Sequence, residues 1–229
     1  MSRFLLSAFF YLVLSNIIFQ PQIFKTQTKW LTDLKGKKIH IDEVKEWNAH
    51  GDIVKWIEYV DGNKPFMRTF SYEYNAGHKV KMVDLGNSAF TIYMYDKSGR
   101  LTQEMDYSKT KKLLQKSVNV YQGNSKNIGY IDVYDEKGGI PFMRTTFEYY
   151  ANGLKKKEVQ TAGGAWNQTN EYKYDNNRNL IYESAIVDGG VGLVKYYYTY
   201  KKNTLVKDII QVPDTGIEYH IYETKLNDK

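Results

Sequence analysis

The stretch that decides the fold is Tyr93-Met94-Tyr95-Asp96-Lys97-Ser98-Gly99, in which two tyrosines alternate before a short polar turn. A strand-like run lies on each side of the turn, at 91–95 and at 101–105. Period-two alternation flanking a cluster of Asp, Asn or Gly is typical of a β-hairpin. Gly99 supplies the positive φ that a tight turn requires. The stretch therefore predicts two antiparallel strands joined by a turn.

The same pattern of an aromatic residue, then Asp or Asn, then Gly or Asn recurs along the chain. Further copies lie at 47–51, 72–77, 134–138, 149–153, 172–177 and 198–203. A single hairpin cannot bury its apolar face, so successive hairpins are expected to pair edge to edge. We expect a meander in which tyrosines stack across neighbouring strands.

A longer repeat is superimposed on the hairpins. Pro65-Phe66-Met67-Arg68-Thr69 recurs as Pro141-Phe142-Met143-Arg144-Thr145, and nine residues after the two prolines come Tyr74 and Tyr150. The expected units are about 65–140, 141–212 and a partial 213–229, after a leading hairpin region at 30–64. If the units are equivalent, Phe66 and Phe142 should share one degree of burial, and so should Met67 and Met143. Within each copy, one of the two side chains should be buried and the other more exposed.

The predicted fold class is all-β: an antiparallel meander of hairpins that forms one long, twisted and curled sheet in a single repeat domain, 23–229. Such a sheet can close like a barrel or wrap a core of Ile, Leu, Met and Phe. No segment after residue 25 gives a convincing helix. The best candidate, 109–120, fits a turn that runs into a strand equally well.

Composition excludes several classes of protein. The 229 residues include 32 Lys and Arg against 26 Asp and Glu, a net charge of +6, and no cysteine. Without cysteine there are no disulfides, thiol nucleophiles, iron–sulfur clusters or Cys-ligated zinc. The 21 tyrosines outnumber the 10 phenylalanines and 4 tryptophans together, and only 4 prolines occur, which favours strands.

The N-terminal segment, 1–22, reads as a secretory signal peptide. A positive start at Ser2-Arg3 precedes an apolar run from Phe4 to Phe19, and a polar exit follows at 20–22. The run is shorter than the roughly 20 residues of a membrane-spanning helix. A clean small-x-small cleavage site is missing, so an uncleaved membrane anchor remains the alternative. We expect an exported protein of the periplasm, the outer surface or the medium.

The quoted hairpin resembles the YD repeats of RHS-type proteins and teneurins. Residues 93–102 carry the core pattern of that family almost in full, and 171–180 is the second-best match. The opening at 34–38, leading into Trp47 and Gly51, is similar to small exported YD-like proteins of Bacteroidetes. The resemblance implies extracellular β architecture with a binding or scaffolding role. It implies no catalytic residue.

Motifs for chemistry are missing from the sequence. The histidines are isolated at His40, His50, His78 and His220, and no metal, nucleophile or phosphate-loop motif occurs. Glu104 and Glu183 occupy equivalent repeat positions, and strand alternation predicts both as outward, solubilising charges. We therefore expect no enzyme, no cofactor and no metal.

The candidate binding residues are Tyr196, Tyr198 and Tyr200, which alternation places on one face of a strand, with Tyr197 on the other. Exposed tyrosines offer flat platforms for sugar rings or a partner protein. They equally fit a half-buried sheet with no further role. We expect a non-enzymatic envelope binding or scaffold protein whose partner is a cell-surface glycan or an envelope protein, with no nucleic acid, and membrane contact only through an uncleaved N-terminus. The alternatives are a glycan hydrolase using Asp and Glu on a sheet face, or an immunity-type partner of a secreted toxin.

Overall fold

The computed structural model describes residues 23–60, 64–163, 166–187, 193–212 and 216–227. The predicted signal segment, 1–22, lies outside these residues. Within them the chain forms sixteen strands: β1 (Lys25–Thr32), β2 (Lys38–Trp47), β3 (Ile53–Val60), β4 (Lys64–Asn75), β5 (His78–Asp84), β6 (Phe90–Tyr95), β7 (Leu101–Tyr107), β8 (Leu113–Tyr121), β9 (Ile128–Asp135), β10 (Met143–Tyr149), β11 (Lys155–Ala162), β12 (Trp166–Tyr174), β13 (Leu180–Val187), β14 (Leu193–Lys201), β15 (Thr204–Val212) and β16 (Gly216–Leu226).

The strands form a closed antiparallel barrel. Each strand pairs with the next along the chain, and β16 pairs with β1 over Lys25–Thr32. The all-β meander predicted from the sequence is confirmed, in its closed form. The segment 109–120 is a turn followed by β8, and no part of the chain that the structure describes forms a helix able to cross a membrane.

A five-residue turn explains the Asp of the hairpin pattern. The Asp96 carboxylate accepts hydrogen bonds from the backbone N–H of Ser98 at 2.8 Å and of Arg100 at 3.0 Å. Gly99 has a φ of 75°, the left-handed conformation that favours glycine. Asp33, Asn48 and Asp175 cap their own turns in the same way. The short polar side chain thus replaces backbone partners that the turn leaves unpaired.

The aromatic pattern marks one end of the barrel, which we call the tight-turn end. Six of the seven copies found in the sequence lie where an even-numbered strand runs into the next odd-numbered one. The turns there include 48–52, 96–100, 150–154 and 175–179. The exception is the copy at 134–138, which lies between β9 and β10 at the opposite end.

A tyrosine at or near the end of the even-numbered strand joins four of the hairpins to the strand before them. Tyr95 at the end of β6 donates its hydroxyl to the carbonyl of Lys79, near the start of β5, at 2.9 Å. Tyr121 donates to the Leu101 carbonyl at 2.8 Å, again one strand back. Tyr149 and Tyr72 make the same bond to the carbonyls of Ile128 and Ile53.

One face of the sheet can be followed through every strand pair, because directly paired residues point the same way. His220 pairs with Asp208, Asp208 with Tyr198, and Tyr198 shares its face with Tyr196 and Tyr200. On β14 these three tyrosines are half-buried, whereas Tyr197 and Thr199 are exposed. The less exposed side chains of a closed barrel line its interior, so we call theirs the inner face.

The sequence also allowed a sheet that wraps a core of Ile, Leu, Met and Phe, and the barrel interior is not such a core. Among the described residues, the buried apolar side chains are Val54, Phe70, Tyr93, Val133 and Tyr172. Buried polar residues are more numerous and include Thr91, Asn119, Thr145, Asn170 and Asp208. A sixteen-stranded barrel is too wide for side chains to fill, which allows the inner face to stay polar.

The predicted equivalence of the two Pro-Phe-Met-Arg-Thr segments is wrong at the level of faces. Arg68 lies on the inner face and pairs with Asp84, whereas Arg144 lies on the outer face and pairs with Asp132. Phe66 and Met67 are both exposed, at 56% and 58%. The last tyrosines of β4 and β10, Tyr74 and Tyr149, both point inward and are separated by an odd number of residues. The two Pro-Phe-Met-Arg-Thr segments are separated by an even number. Since side chains alternate between faces along a strand, matched residues of the two segments point to opposite faces.

Candidate functional site: the barrel interior

Among the residues that the structure describes, twelve tyrosines share the inner face, by the register of the strand pairs. They are distributed around the barrel from β4 to β16: Tyr72, Tyr74, Tyr93, Tyr95, Tyr121, Tyr149, Tyr172, Tyr174, Tyr196, Tyr198, Tyr200 and Tyr222. Burial is the main cause that raises the pKa of these phenols, so they remain neutral hydrogen-bonding groups at physiological pH.

The three candidate tyrosines of β14 all point into the barrel, and Tyr197 points out, as alternation predicts. The rings of Tyr196 and Tyr198 stack with centroids 6.4 Å apart and an interplanar angle of 7°. The Tyr198 hydroxyl donates to the Glu183 carboxylate at 3.3 Å. Burial, then the nearby carboxylates of Glu183 and Asp208, raise the pKa of Tyr198.

The expectation that Glu104 and Glu183 are outward, solubilising charges is wrong. Glu104 pairs with Tyr93 across β6 and β7, and Glu183 pairs with Tyr172 and Tyr196, so both lie on the inner face. Burial raises the pKa of both carboxyls, and the neighbouring Asp106 charge adds to the effect at Glu104. Alternation indicated that the two share a face but could not say which face is inside.

A second group of polar side chains lies near the tight-turn end. Lys79 on β5 pairs with Asp52 at 2.9 Å and lies over the ring of Tyr93, with its Nζ atom 4.7 Å from the centroid. Tyr74 donates to the other oxygen of Asp52 at 2.6 Å. Burial and this hydrogen bond to Asp52 raise the pKa of Tyr74 to about 12.

His220 is the most buried side chain among the described residues, at 1% exposed. Its Nδ1 lies 2.7 Å from Asp208, and Tyr222 donates to the other Asp208 oxygen at 2.6 Å. This group sits where β16 meets β1, next to the ion pair between Lys29 and Asp42 at 2.7 Å. The sequence showed His220 only as an isolated histidine, because its partner lies twelve residues away on the neighbouring strand.

The other histidines do not form a metal centre. His50 stacks on Tyr74 with ring centroids 4.1 Å apart, and the rings of His78 and Tyr95 are tilted to each other with centroids 4.6 Å apart. In the part of the chain that the structure describes, no three or more His, Asp or Glu side chains are grouped to hold a metal ion. The absence of a cofactor stays a prediction.

The molecule is thus an up-and-down antiparallel β-barrel with a polar, tyrosine-lined interior. It is similar to the crystal structure of a porin-like protein from Bacteroides uniformis, with a TM-score of 0.59 and 10% identity over 89% of this chain and 98% of that one. A porin-like protein from Bacteroides vulgatus gives a TM-score of 0.50 and 12% identity, over 90% and 99%. At this identity the likeness shows the fold alone.

A third structure, a TcdB2-TccC3-Cdc42 complex, matches 84% of this chain and 13% of its own at 13% identity. Its TM-score of 0.37 is too low to carry an argument. The sequence matches no protein-family model and no curated protein. The resemblance to YD repeats therefore remains a prediction.

Proposed function

We propose that this protein is an exported, non-enzymatic envelope protein of the YD-repeat type that binds a hydroxyl-rich ligand, a glycan, inside its barrel. The observation that carries the proposal is the inner face, where neutral tyrosine hydroxyls alternate with carboxylates such as Glu183 and Glu104. Carboxylates accept hydrogen bonds from sugar hydroxyls, and tyrosine rings offer apolar faces beside a hydroxyl that donates or accepts.

The inner surface of β12–β15 is the strongest part of this site. Tyr172, Tyr196 and Tyr198 surround Glu183, and Glu158 on β11 accepts hydrogen bonds from Lys155 at 2.6 Å and Tyr172 at 3.1 Å. These bonds fix the orientation of the side chains before a ligand arrives. Preorganised groups lose little entropy on binding, which favours affinity.

The outer face supports a location in the aqueous part of the envelope or at its surface. A lipid-facing barrel wall is an apolar band, and a Lys or Arg at its midplane costs about 2–4 kcal/mol. Here Lys81, Arg144 and Lys207 lie on the outer face within their strands, together with Asp132. We therefore place the porin-like fold of this chain outside the lipid.

A glycan-binding screen tests the proposal. Soluble neutral oligosaccharides should bind the protein, and Tyr196→Ala, Tyr198→Ala and Glu183→Gln should weaken binding. Tyr197→Ala is the matched control, because it removes the same side chain from the outer face of the same strand. Equal loss in Tyr197→Ala and Tyr198→Ala, with both variants folded, would contradict binding inside the barrel.

A glycan hydrolase is the second candidate, and the inward orientation of Glu104 favours it. The half-buried Glu104 carboxyl with its raised pKa can donate a proton, and Asp106, two residues along the same face, accepts a hydrogen bond from the Thr91 hydroxyl at 2.6 Å. Turnover of chromogenic glycosides that is lost in Glu104→Gln and Asp106→Asn would establish the enzyme. No turnover in the parent protein would leave the binding role.

A further inference from the structure

The outer face of β12–β16 carries a row of tyrosines flanked by lysines, the Tyr–Lys surface: Lys173, Tyr182, Lys195, Tyr197, Lys207 and Tyr219. Strand register places them together, because Lys173 pairs with Tyr182, Tyr182 with Tyr197, Tyr197 with Ile209 and Ile209 with Tyr219. The row crosses five adjacent strands, which lie about 4.8 Å apart. It is separate from the interior site, since it lies on the opposite face of the same strands.

The lysines of this surface have no carboxylate partner, in contrast to cations of the outer face such as Lys81 and Arg144. Among the described residues no Asp or Glu oxygen lies within 4.0 Å of Lys173, Lys195 or Lys207. By contrast Lys81 pairs with Glu73 at 2.6 Å and Arg144 with Asp132 at 2.6 Å.

Acidic residues nearby do not cancel this charge. Glu171 is exposed beside Lys157, its paired residue on β11, and Glu223 is occupied by Lys38 and by the indole N–H of Trp30. The surface is therefore positive where the tyrosines are, although the inner face of the same strands carries carboxylates. Such a surface attracts an anionic chain.

We propose that the Tyr–Lys surface binds an anionic polysaccharide. Three unpaired ammonium groups along a tyrosine row match repeated carboxylate or sulfate groups on a chain, and the tyrosine hydroxyls can hydrogen-bond the sugar hydroxyls between them. The Nζ atoms of Lys173 and Lys207 lie 4.9 and 5.6 Å from the ring centroids of Tyr182 and Tyr219. Tyr182 and Tyr197 meet edge to face, at 5.4 Å and 61°.

This geometry disfavours single-stranded nucleic acid as the occupant. Nucleobases bind by stacking on free aromatic faces. Here a lysine covers one ring face of Tyr182 and of Tyr219, and the remaining contact between tyrosines is edge-on. Edges, hydroxyls and ammonium groups are what the surface offers, and these suit a carbohydrate better than a base.

Binding to dextran sulfate, with neutral dextran of the same length as the control, tests the proposal on the whole chain. The triple variant Lys173→Gln, Lys195→Gln, Lys207→Gln should lose affinity for dextran sulfate by about tenfold or more, from the loss of three exposed ionic contacts. The charge-matched triple Lys55→Gln, Lys81→Gln, Lys112→Gln removes lysines elsewhere that each have a carboxylate partner, and it should lose less than about threefold. Unchanged urea midpoints would show that both triples fold.

Three results would overturn the proposal. The first is no binding of dextran sulfate, or binding equal to that of dextran. The second is an equal loss in the two triple variants, which would reduce the interaction to net charge. The third is tighter binding of a thymidine oligonucleotide that depends on the same three lysines. Tyr197→Ala should weaken dextran sulfate binding while Tyr198→Ala does not, which separates this surface from the interior site.

Discussion

At the scale of the residue, four inward tyrosines, Tyr72, Tyr95, Tyr121 and Tyr149, act as connectors between hairpins. Tyr95→Phe removes only the hydroxyl that donates to the Lys79 carbonyl at 2.9 Å, and it keeps the contact between the aromatic ring at position 95 and the His78 ring. We expect a loss of about 0.5–1.5 kcal/mol in the free energy of unfolding, measured by urea denaturation. Tyr197→Phe is the control, since that hydroxyl makes no hydrogen bond within the part of the chain that the structure describes, and it should change stability little. Equal losses would contradict the connector role.

Glu104 shows at the same scale how an inward carboxyl couples stability to pH. Because burial raises its pKa, the folded protein holds this proton to a higher pH than the unfolded chain does. Stability is therefore lost as the pH rises from the ordinary carboxyl range through the raised pKa. Glu104→Gln should raise the melting temperature at pH 7 and leave it unchanged below about pH 4. Glu148→Gln, on the exposed outer face, should show no such difference. A gain in Glu104→Gln that is equal at both pH values would refute the assignment.

At the scale of the element, the preference of the turn for glycine at its positive-φ position can be tested by two substitutions. One removes a glycine from this position and the other introduces one, so their effects on stability should be opposite. Gly99 has a φ of 75°, and an added Cβ would lie 3.2 Å from the His78 ring. Gly99→Ala should therefore destabilise by about 1–2 kcal/mol. Arg178 fills the equivalent turn position with a φ of 68°, so Arg178→Gly should be neutral or stabilise by up to about 1 kcal/mol. Thermal unfolding of both variants measures this, and a loss of similar size in both would show that the backbone does not set the preference.

Hairpins were the elements that the sequence could predict, because their signals are local. Asp96 and Gly99 lie within one turn, and the alternating residues that flank them lie on either side of it. The faces were harder to predict, since tyrosines and charges occur on both sides of the strands. Glu104 and Glu183 were assigned outward for that reason, and bulges such as the one between Met94 and Tyr95 change the spacing between repeats. The inner position of Tyr196, Tyr198 and Tyr200 depended on closure, which alternation alone does not reveal.

At the scale of the whole molecule, closure joins strands that are almost two hundred residues apart. Leu31 pairs with His220, and Lys29 with Tyr222, at the seam between β1 and β16. No local sequence pattern predicts this pairing. The polar group of His220, Asp208 and Tyr222 lies at that seam, where its hydrogen bonds link β15 to β16. Closure removes both free edges of the sheet, which would otherwise pair with other chains. It also turns the hairpin repeat into an enclosed surface, on which the proposed glycan site depends.

The length and charge of the barrel wall lead to a prediction for the whole molecule in the presence of lipid. A strand that crosses a bilayer needs about 9–11 residues. Here β6 has 6, and β5, β7 and β10 have 7 each. We expect residues 23–229 to fold in detergent-free buffer, with a β-type infrared spectrum, and to stay at the bottom of a flotation gradient with phosphatidylcholine vesicles. A chain that gained its β spectrum only on adding vesicles, and then floated with them, would show that the barrel spans lipid after all. Insertion into lipid would remove the charged side chains of Arg144, Asp132 and Lys207 from water, because all three lie on the outer face. The short strands bury too little apolar surface in the bilayer to offset this desolvation cost.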